Sequence, residues 1–269
     1  MDKQDIQTLL GLAGSVLDRD LQTHIPTAII SNETSLASLE KYEAAPLFYR
    51  ASLSTKFIEQ FLNYTREQNS SHVFINEQKF GAVAFFDLGT PAEPKWGHHK
   101  AFLSLEKEPA FLALLANAED RMGQQHLIDF IEDWMENIQF HDTDGHEISS
   151  TDAIKNIRRL KIKVNGESNQ DQGNYAQSRS TLEEVELQAG EQPPPAYFIF
   201  SCTPYPGLGV RDFVCSLRAN AQKDAFTLQY RIIKQSAIEH EIVQEFCQTI
   251  TDGLTADHKV TIGTFIYQN

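Results

Sequence analysis

The segments HHKAFLSLEKEPAFLALLANA, residues 98–118, and QQHLIDFIEDWMENI, residues 124–138, decide the fold class. The first begins with alternating apolar and polar side chains, as a half-buried strand does, and its apolar face carries Ala101, Leu103 and Leu105. Pro109 then occupies a position where a helix can begin, and apolar spacing predicts one helix in each segment. Because two helices follow one strand, strict alternation fails, and we predict an α+β fold rather than a doubly wound one.

On the N-terminal side, residues 72–76 and 80–88 predict two strands joined by a polar turn. The second is almost continuously apolar, so we expect it to be a central strand. Ser54 is a candidate N-cap for a helix whose apolar face begins with Phe57. Further helices are predicted near the N-terminus, at residues 6–17 and 33–42.

On the C-terminal side, strands dominate, and the predicted ones are 155–164, 182–187, 197–202, 210–218, 226–233 and 260–267. Residues 165–180 are polar and predict a mobile loop, and residues 237–250 predict one long helix. We therefore expect an N-terminal α/β region at 1–145 and a β-rich region at 146–269. The alternative is a single domain in which both regions share one sheet.

The predicted helix at 124–138 has an acidic face opposite its apolar one. At about 100° per residue, four carboxylates fall within one narrow arc. This acidic ridge consists of Asp129, Glu132, Asp133 and Glu136. Like charges at this spacing weaken a helix slightly, so the ridge is a candidate surface that meets a basic protein partner or imitates a line of phosphates. The alternative is an ordinary solvated helix face.

A basic strip is predicted along the strand at 155–164, and it consists of Lys155, Arg158, Arg159, Lys161 and Lys163. Such a strip is a candidate for contacts with nucleic-acid phosphates. It has no interleaved aromatic residues, so base stacking is not indicated. The alternative is a half-exposed strand whose positive charge balances the acidic helix within the same molecule.

Composition and charge restrict the classes of function. The formal net charge is −14, which repels phosphate backbones at long range. No apolar run approaches the roughly 20 residues that span a bilayer, and the first residues lack the basic start of a secretory signal. The three cysteines have no CxxC spacing and lie in apolar stretches, as buried thiols do. We expect a soluble cytoplasmic protein, with no membrane contact; homo-oligomerisation is left open.

The sequence contains no recognisable catalytic, metal or cofactor signature. It has no GxSxG, P-loop or HExxH pattern, and we predict no catalytic residue and no cofactor. His98 and His99 are adjacent in a predicted strand, so their side chains should point to opposite faces rather than to one ion. The stretch from His141 to His146 resembles the start of a calcium loop but lacks the later ligands, and predicts a turn.

Several stretches resemble a known family across roughly residues 30–265. They are Tyr49–Leu53 with Phe57 and Ile58, Pro94–Ala101, Gln124–Asn137, Tyr197–Phe200, Arg218, and Ile262 with Gly263. In these the chain resembles the YfdQ-like family of tailed phages and prophages. The resemblance implies a phage origin, expression in the host cytoplasm, and a gene for DNA metabolism or host takeover. It implies no reaction and no catalytic residue.

Three hypotheses follow. The leading one is a non-enzymatic phage accessory protein that binds a protein partner, either a host defence or repair complex or the phage's own recombination machinery. The second is a nucleic-acid-binding protein that uses the basic strip. The third is an enzyme whose site is assembled across the fold.

Overall fold

The computed structural model describes residues 44–46, 48–160, 195–222 and 225–266. Internal contacts divide the chain into Met1–Tyr49 and Arg50–Asn269, so residue 145, the predicted boundary, falls inside the second unit. All that follows concerns this second unit. The helices predicted at 6–17 and 33–42, the loop at 165–180 and the strand at 182–187 lie outside the described residues.

The first sheet has five strands in the order β1-β4-β3-β2-β10. In chain order the strands are β1 Ser52–Thr55, β2 Ser71–Asn76, β3 Gly81–Phe85, β4 Lys100–Ser104 and β10 His258–Ile262. The β2, β3 and β4 strands pair antiparallel, whereas the outer pairs β1–β4 and β10–β2 are parallel. The β3 strand lies at the centre, as the apolar run at 80–88 predicted.

One face of the first sheet is buried. Its side chains alternate as predicted for β4, and the buried ones are Val73, Ile75, Ala82, Ala84, Ala101 and Leu103. Helix α1, Ile58–Arg66, contacts β1 and β4 and buries Phe61 and Leu62. The predicted cap Ser54 is wrong: it lies in β1, and the helix begins at Ile58 after an extended Phe57.

The second sheet is entirely antiparallel, in the order β6-β5-β7-β8-β9. Its strands are β5 Ile138–His141, β6 Glu147–Ile148, β7 Tyr197–Cys202, β8 Arg211–Gln222 and β9 Ala225–Ile232. In β5, in β7, and in residues 213–217 of β8 and 228–232 of β9, every second residue is buried. This gives a core-facing layer containing Phe140, Phe198, Phe200, Phe213, Cys215 and Tyr230. The antiparallel C-terminal region is confirmed, although its last strand, β10, belongs to the first sheet.

Four further helices join the sheets, namely α2 Pro109–Asn117, α3 Gln124–Asp133, α4 Ser150–Arg159 and α5 Gln235–Asp252. The predicted helix start at Pro109 and the long helix near 237–250 are confirmed. Buried residues of both sheets and all these helices form one hydrophobic cluster, so the described part of the second unit shares one core. The α+β class is confirmed. Within the described ranges, no helix is both long enough and apolar enough to cross a bilayer.

Candidate functional site

Helix α3 is amphipathic, and its acidic face is exposed. Leu127, Phe130 and Ile131 are buried against the second sheet, where the Phe130 ring stacks near Phe200 and Tyr230. On the opposite side, the first three carboxylates of the acidic ridge, on Asp129, Glu132 and Asp133, are exposed to solvent.

The ridge is not one continuous helix face. The helix ends at Asp133, because Trp134 adopts φ −119° and ψ 26°, and a 3₁₀ turn, Met135–Asn137, follows. Glu136 is exposed on this turn rather than on α3. Trp134 is half-buried, at a ring-centroid distance of 6.4 Å from Phe200 of the second sheet. The ridge therefore bends at its C-terminal end.

The predicted strand at 155–164 is wrong where it is described, because residues 150–159 form helix α4. Ser149 caps the helix by accepting a hydrogen bond from the backbone nitrogen of Asp152 at 3.1 Å. Ala153, Ile154 and Ile157 are buried at helical spacing. These local signals outweigh the alternating pattern that begins only near the end of the helix.

The basic residues on α4 share one exposed face. Lys155, Arg158 and Arg159 lie four, seven and eight residues after Thr151, which is the spacing of a single helix face. Arg158 and Arg159 also lie in the last turn, where cations stabilise the helix dipole. The remaining members of the predicted strip, Lys161 and Lys163, lie outside the described residues.

The acidic and basic faces lie side by side. The Arg158 guanidinium donates to the Glu132 carboxylate at 3.0 Å. The Gln124 side-chain amide donates to the carbonyls of Ile157 and Leu160 at 2.9 Å and 2.7 Å, and so caps the end of α4 from the start of α3. Both ion-pair partners are about half exposed, so this pair contributes only about 0.2–1 kcal/mol to stability.

An open cleft of about 440 Å³ lies between these helices, and it is lined by Glu132, Thr151, Ile154, Lys155, Arg158 and Arg159. Three cations thus face the cleft together with one carboxylate, which is already paired to Arg158. The arrangement can accept an anionic group at its Lys155 and Arg159 side, or a mixed-charge protein surface across its whole width.

The two adjacent histidines point to different neighbours. The Asp87 carboxylate accepts hydrogen bonds from the backbone nitrogens of both His98 and His99, each at 2.9 Å. The His99 ring nitrogen Nε2 lies 3.0 Å from the Tyr64 hydroxyl, whereas the His98 ring stacks near Trp96. Burial lowers the pKa of His99, and the nearby Asp87 charge partly opposes this shift. His99 is therefore a neutral, buried structural histidine at pH 7.

Among the described residues, Asp142, Asp144 and His146 form one group whose potential metal-ligand atoms all lie within 4.8 Å of one another. They belong to the turn between β5 and β6. Asp142 accepts backbone hydrogen bonds from Asp144 at 2.9 Å and from His146 at 2.8 Å, and chiefly the His146 bond lowers the pKa of Asp142. The carboxylate therefore already has a structural role in closing the predicted turn, with Gly145 at φ 86°.

A second cavity, of about 290 Å³, was not indicated by the sequence. It is lined by Glu77, Gln78, Phe80, Lys107, Phe111, Leu115, Tyr205, Glu239, Ile242 and Val243. These residues come from four separate stretches of the chain, so periodicity could not connect them. The one local signal was the polar turn between β2 and β3, which supplies Glu77, Gln78 and Phe80.

Comparisons with known proteins identify a family. Neither a search of curated proteins nor a search of solved structures found a significant match. Residues 1–265 do match the family described as "Uncharacterized conserved protein (DUF2303)". Because this match spans nearly the whole chain, the protein belongs to the DUF2303 family of uncharacterized conserved proteins.

Proposed function

We propose that this protein is a non-enzymatic accessory protein that binds a protein partner through the acidic ridge. The observation that carries the proposal is Met135, whose side chain is 43% exposed beside the ridge carboxylates of Asp133 and Glu136. An exposed apolar side chain surrounded by charge is typical of a protein-binding surface, where it anchors the contact while the charges steer the encounter.

Most of the ridge is available to a partner. Of its four carboxylates, only Glu132 makes a salt bridge to another described residue, namely Arg158. Asp129 accepts a hydrogen bond from the neutral Gln125 amide at 2.6 Å, and within the described ranges no cation pairs with it. A partner with basic side chains around an apolar pocket would match this surface. A symmetric contact of two copies through this surface would not, because the surface is acidic in both copies.

In this proposal the protein is encoded by a phage or prophage and acts in the cytoplasm of the host bacterium. The support is the sequence resemblance, chiefly at Pro94–Ala101 and Gln124–Asn137. The partner would then be a host defence or repair complex, or the phage's own recombination machinery.

The second candidate function is nucleic-acid binding through α4. The specific observation in its favour is that Lys155, Arg158 and Arg159 line one cleft. Glu132 lies in the same cleft and the chain carries a net charge of −14, and both features oppose a phosphate backbone. Protein binding is therefore the better-supported function.

The test of the protein-binding proposal is affinity purification of the tagged full chain from bacterial cells that express it. The ridge variant carries Asp129→Lys, Asp133→Lys and Glu136→Lys, and leaves the Glu132 ion pair intact. A matched control variant carries Glu67→Lys, Glu241→Lys and Asp257→Lys, which are also exposed and change the net charge equally. A partner that is recovered with wild type and control but not with the ridge variant supports the proposal. Equal recovery with all three chains refutes it.

The nucleic-acid alternative is tested with Lys155→Ala, Arg158→Ala and Arg159→Ala in one chain. If α4 contacts phosphates, each lost contact reduces the slope of log affinity against log salt by about 0.7–0.9. We expect weak binding to DNA and RNA at physiological salt and no change of slope. Tight, salt-sensitive binding that this variant abolishes would reverse the order of the two functions.

A further inference from the structure

We propose that the 290 Å³ cavity between α2, α5 and the turn before β3 is a binding site for a small apolar amine, independent of the acidic ridge. The ligand has an apolar body about as large as one aromatic ring, and a protonated amino group. Three features support this site: the shape of the cavity, one tyrosine hydroxyl group in its lining, and the charges at its rim.

The walls of the cavity are apolar and fixed in place. Phe111 and Ile242 are buried, and Leu115 and Val243 complete the lining from the same two helices. The turn that carries Tyr205 is held against α2, because the backbone nitrogen of Glu108 donates to the Pro204 carbonyl at 3.0 Å. A volume of about 290 Å³ lies at the lower end of the range for small-molecule sites, so the occupant is small.

Phe80 gives the cavity an aromatic wall at a conformational cost. Its backbone has φ 47° and ψ 48°, a left-handed conformation that non-glycine residues rarely adopt. In this conformation its ring stacks on Tyr205 with a centroid distance of 4.1 Å and lies 5.4 Å from Phe246. Strained residues of this kind concentrate at binding sites.

Tyr205 supplies a hydroxyl group with which a ligand can form a hydrogen bond. The residue is only 6% exposed, but its hydroxyl, which forms no hydrogen bond with a described residue, keeps access to solvent. A hydroxyl at the open side of a cavity can donate to or accept from a ligand. Tyr205 and Glu239 line the same cavity. Burial, and then the Glu239 charge, raise the pKa of Tyr205, so its hydroxyl stays protonated at neutral pH.

The charges at the rim select a cation. Glu77 and Glu239 contribute two carboxylates and Lys107 one ammonium group, so the lining is negative by one charge. Glu239 is oriented by the Gln235 amide, which donates to its carboxylate at 2.9 Å. An amine can donate to Glu239 and to the Tyr205 oxygen, while its apolar body fills the space against α2 and α5.

The experiment compares three probes of one shape and different charge, namely 2-phenylethylamine, 2-phenylethanol and 3-phenylpropionate. Binding to the full chain is followed by NMR, through the methyl signals of Leu115 and Val243. We expect saturable binding of the amine, and affinities at least about tenfold lower for the alcohol and the acid, because a hydrogen bond to a charged group is the stronger one. Equal affinity for all three probes, or no saturable binding of the amine, would overturn the proposal.

Variants locate the site. Glu239→Gln keeps the hydrogen bond from Gln235 but removes the charge, and Tyr205→Phe removes only the hydroxyl; each should weaken amine binding about tenfold. The matched control is Glu241→Gln, at an exposed position on the same helix, and should bind as wild type does. Val243→Phe should fill the cavity and abolish binding. If Glu239→Gln and Tyr205→Phe retain wild-type affinity while still folded, the amine binds elsewhere and the assignment is wrong.

Discussion

Substituting Gly253 by alanine sets two opposing effects against each other. Gly253 follows α5 with φ −72° and ψ −9°, a conformation that alanine adopts readily. On conformational grounds alone, Gly253→Ala should stabilise the protein by about 0.4–1 kcal/mol, because alanine restricts the unfolded chain. Glycine is therefore not required at this position by its backbone angles.

The space around Gly253 argues the other way. A Cβ atom there would lie 2.5 Å and 2.9 Å from the two methyl carbons of Leu62, and 3.0 Å from the Thr249 carbonyl oxygen. Leu62 is 6% exposed, so its methyl groups cannot move into solvent, and overpacking of this kind costs about 1–3 kcal/mol. The net expectation is a loss of roughly 1 kcal/mol in the free energy of unfolding.

Urea denaturation of four chains checks this reasoning: wild type, Gly253→Ala, Leu62→Ala and the double variant. Leu62→Ala alone should cost about 2–5 kcal/mol, because it leaves a cavity. In that background Gly253→Ala should become neutral or stabilising, which gives a coupling of about 1–3 kcal/mol between the two sites. Gly253→Ala that stabilises the wild-type chain, or that destabilises both backgrounds equally, would refute the steric argument.

Three further predictions concern single side chains. Trp134→Ala should lower the free energy of unfolding by about 2–3 kcal/mol, which is less than for a fully buried Trp. A denaturation experiment that shows no loss of stability would contradict the packing of Trp134 on Phe200. Burial raises the pKa of Cys202 to about 12, and Cys215 and Cys247 are also buried free thiols. At pH 8 all three should therefore resist a thiol reagent in the native protein and react with it in the unfolded chain. His99 should titrate below 6.5 by NMR, and a midpoint above 6.5 would contradict this. Because the pKa of His99 is lower in the folded than in the unfolded chain, its contribution to stability should be complete above pH 6.5. The contribution should decline as the pH falls from 6.5 towards the folded pKa.

The elements that could be predicted are those in which local pattern and tertiary position agree. The β4 strand was recognisable because Ala101, Leu103 and Leu105 alternate and are all buried. The start of α2 was recognisable because Pro109 has its ordinary place in the first turn. Such signals depend on a few neighbouring residues, and nothing distant in the fold opposes them.

Helix α4 was wrongly predicted as a strand because two sequence patterns overlap there. Residues 159–164 alternate in the manner of a strand. This alternation begins within the helix and competes with the helical signals, which are the cap at Ser149 and the spacing of Ile154 and Ile157. The end of α3 at Asp133 was also missed, since no glycine or proline marks it and the change of direction at Trp134 is set by packing.

The candidate sites depended on contacts between distant segments. One alternative for the basic strip was that its charge balances the acidic helix within the molecule. In the part of the chain that the structure describes, one such ion pair joins Glu132 to Arg158, which are 26 residues apart. The amine site joins Phe80, Tyr205 and Glu239, and no pattern in the sequence relates them. Such groupings arise only when both sheets and their helices share one core.

The pairing of β10 with β2 has a consequence for synthesis of the chain. The buried hydrogen bond between Ser71 and His258, at 2.9 Å, joins residues 187 positions apart. At about 5–20 residues per second, a ribosome leaves the open edge of β2 without its partner for roughly 10–40 s. The strands β5 and β7 to β9 emerge in the meantime and can pair with one another.

A chain that stops before His258, through a nonsense mutation or proteolysis, would keep that edge of β2 exposed permanently, and exposed edges recruit other strands. Loss of this single short strand should therefore be seen first as insoluble protein in the producing cell.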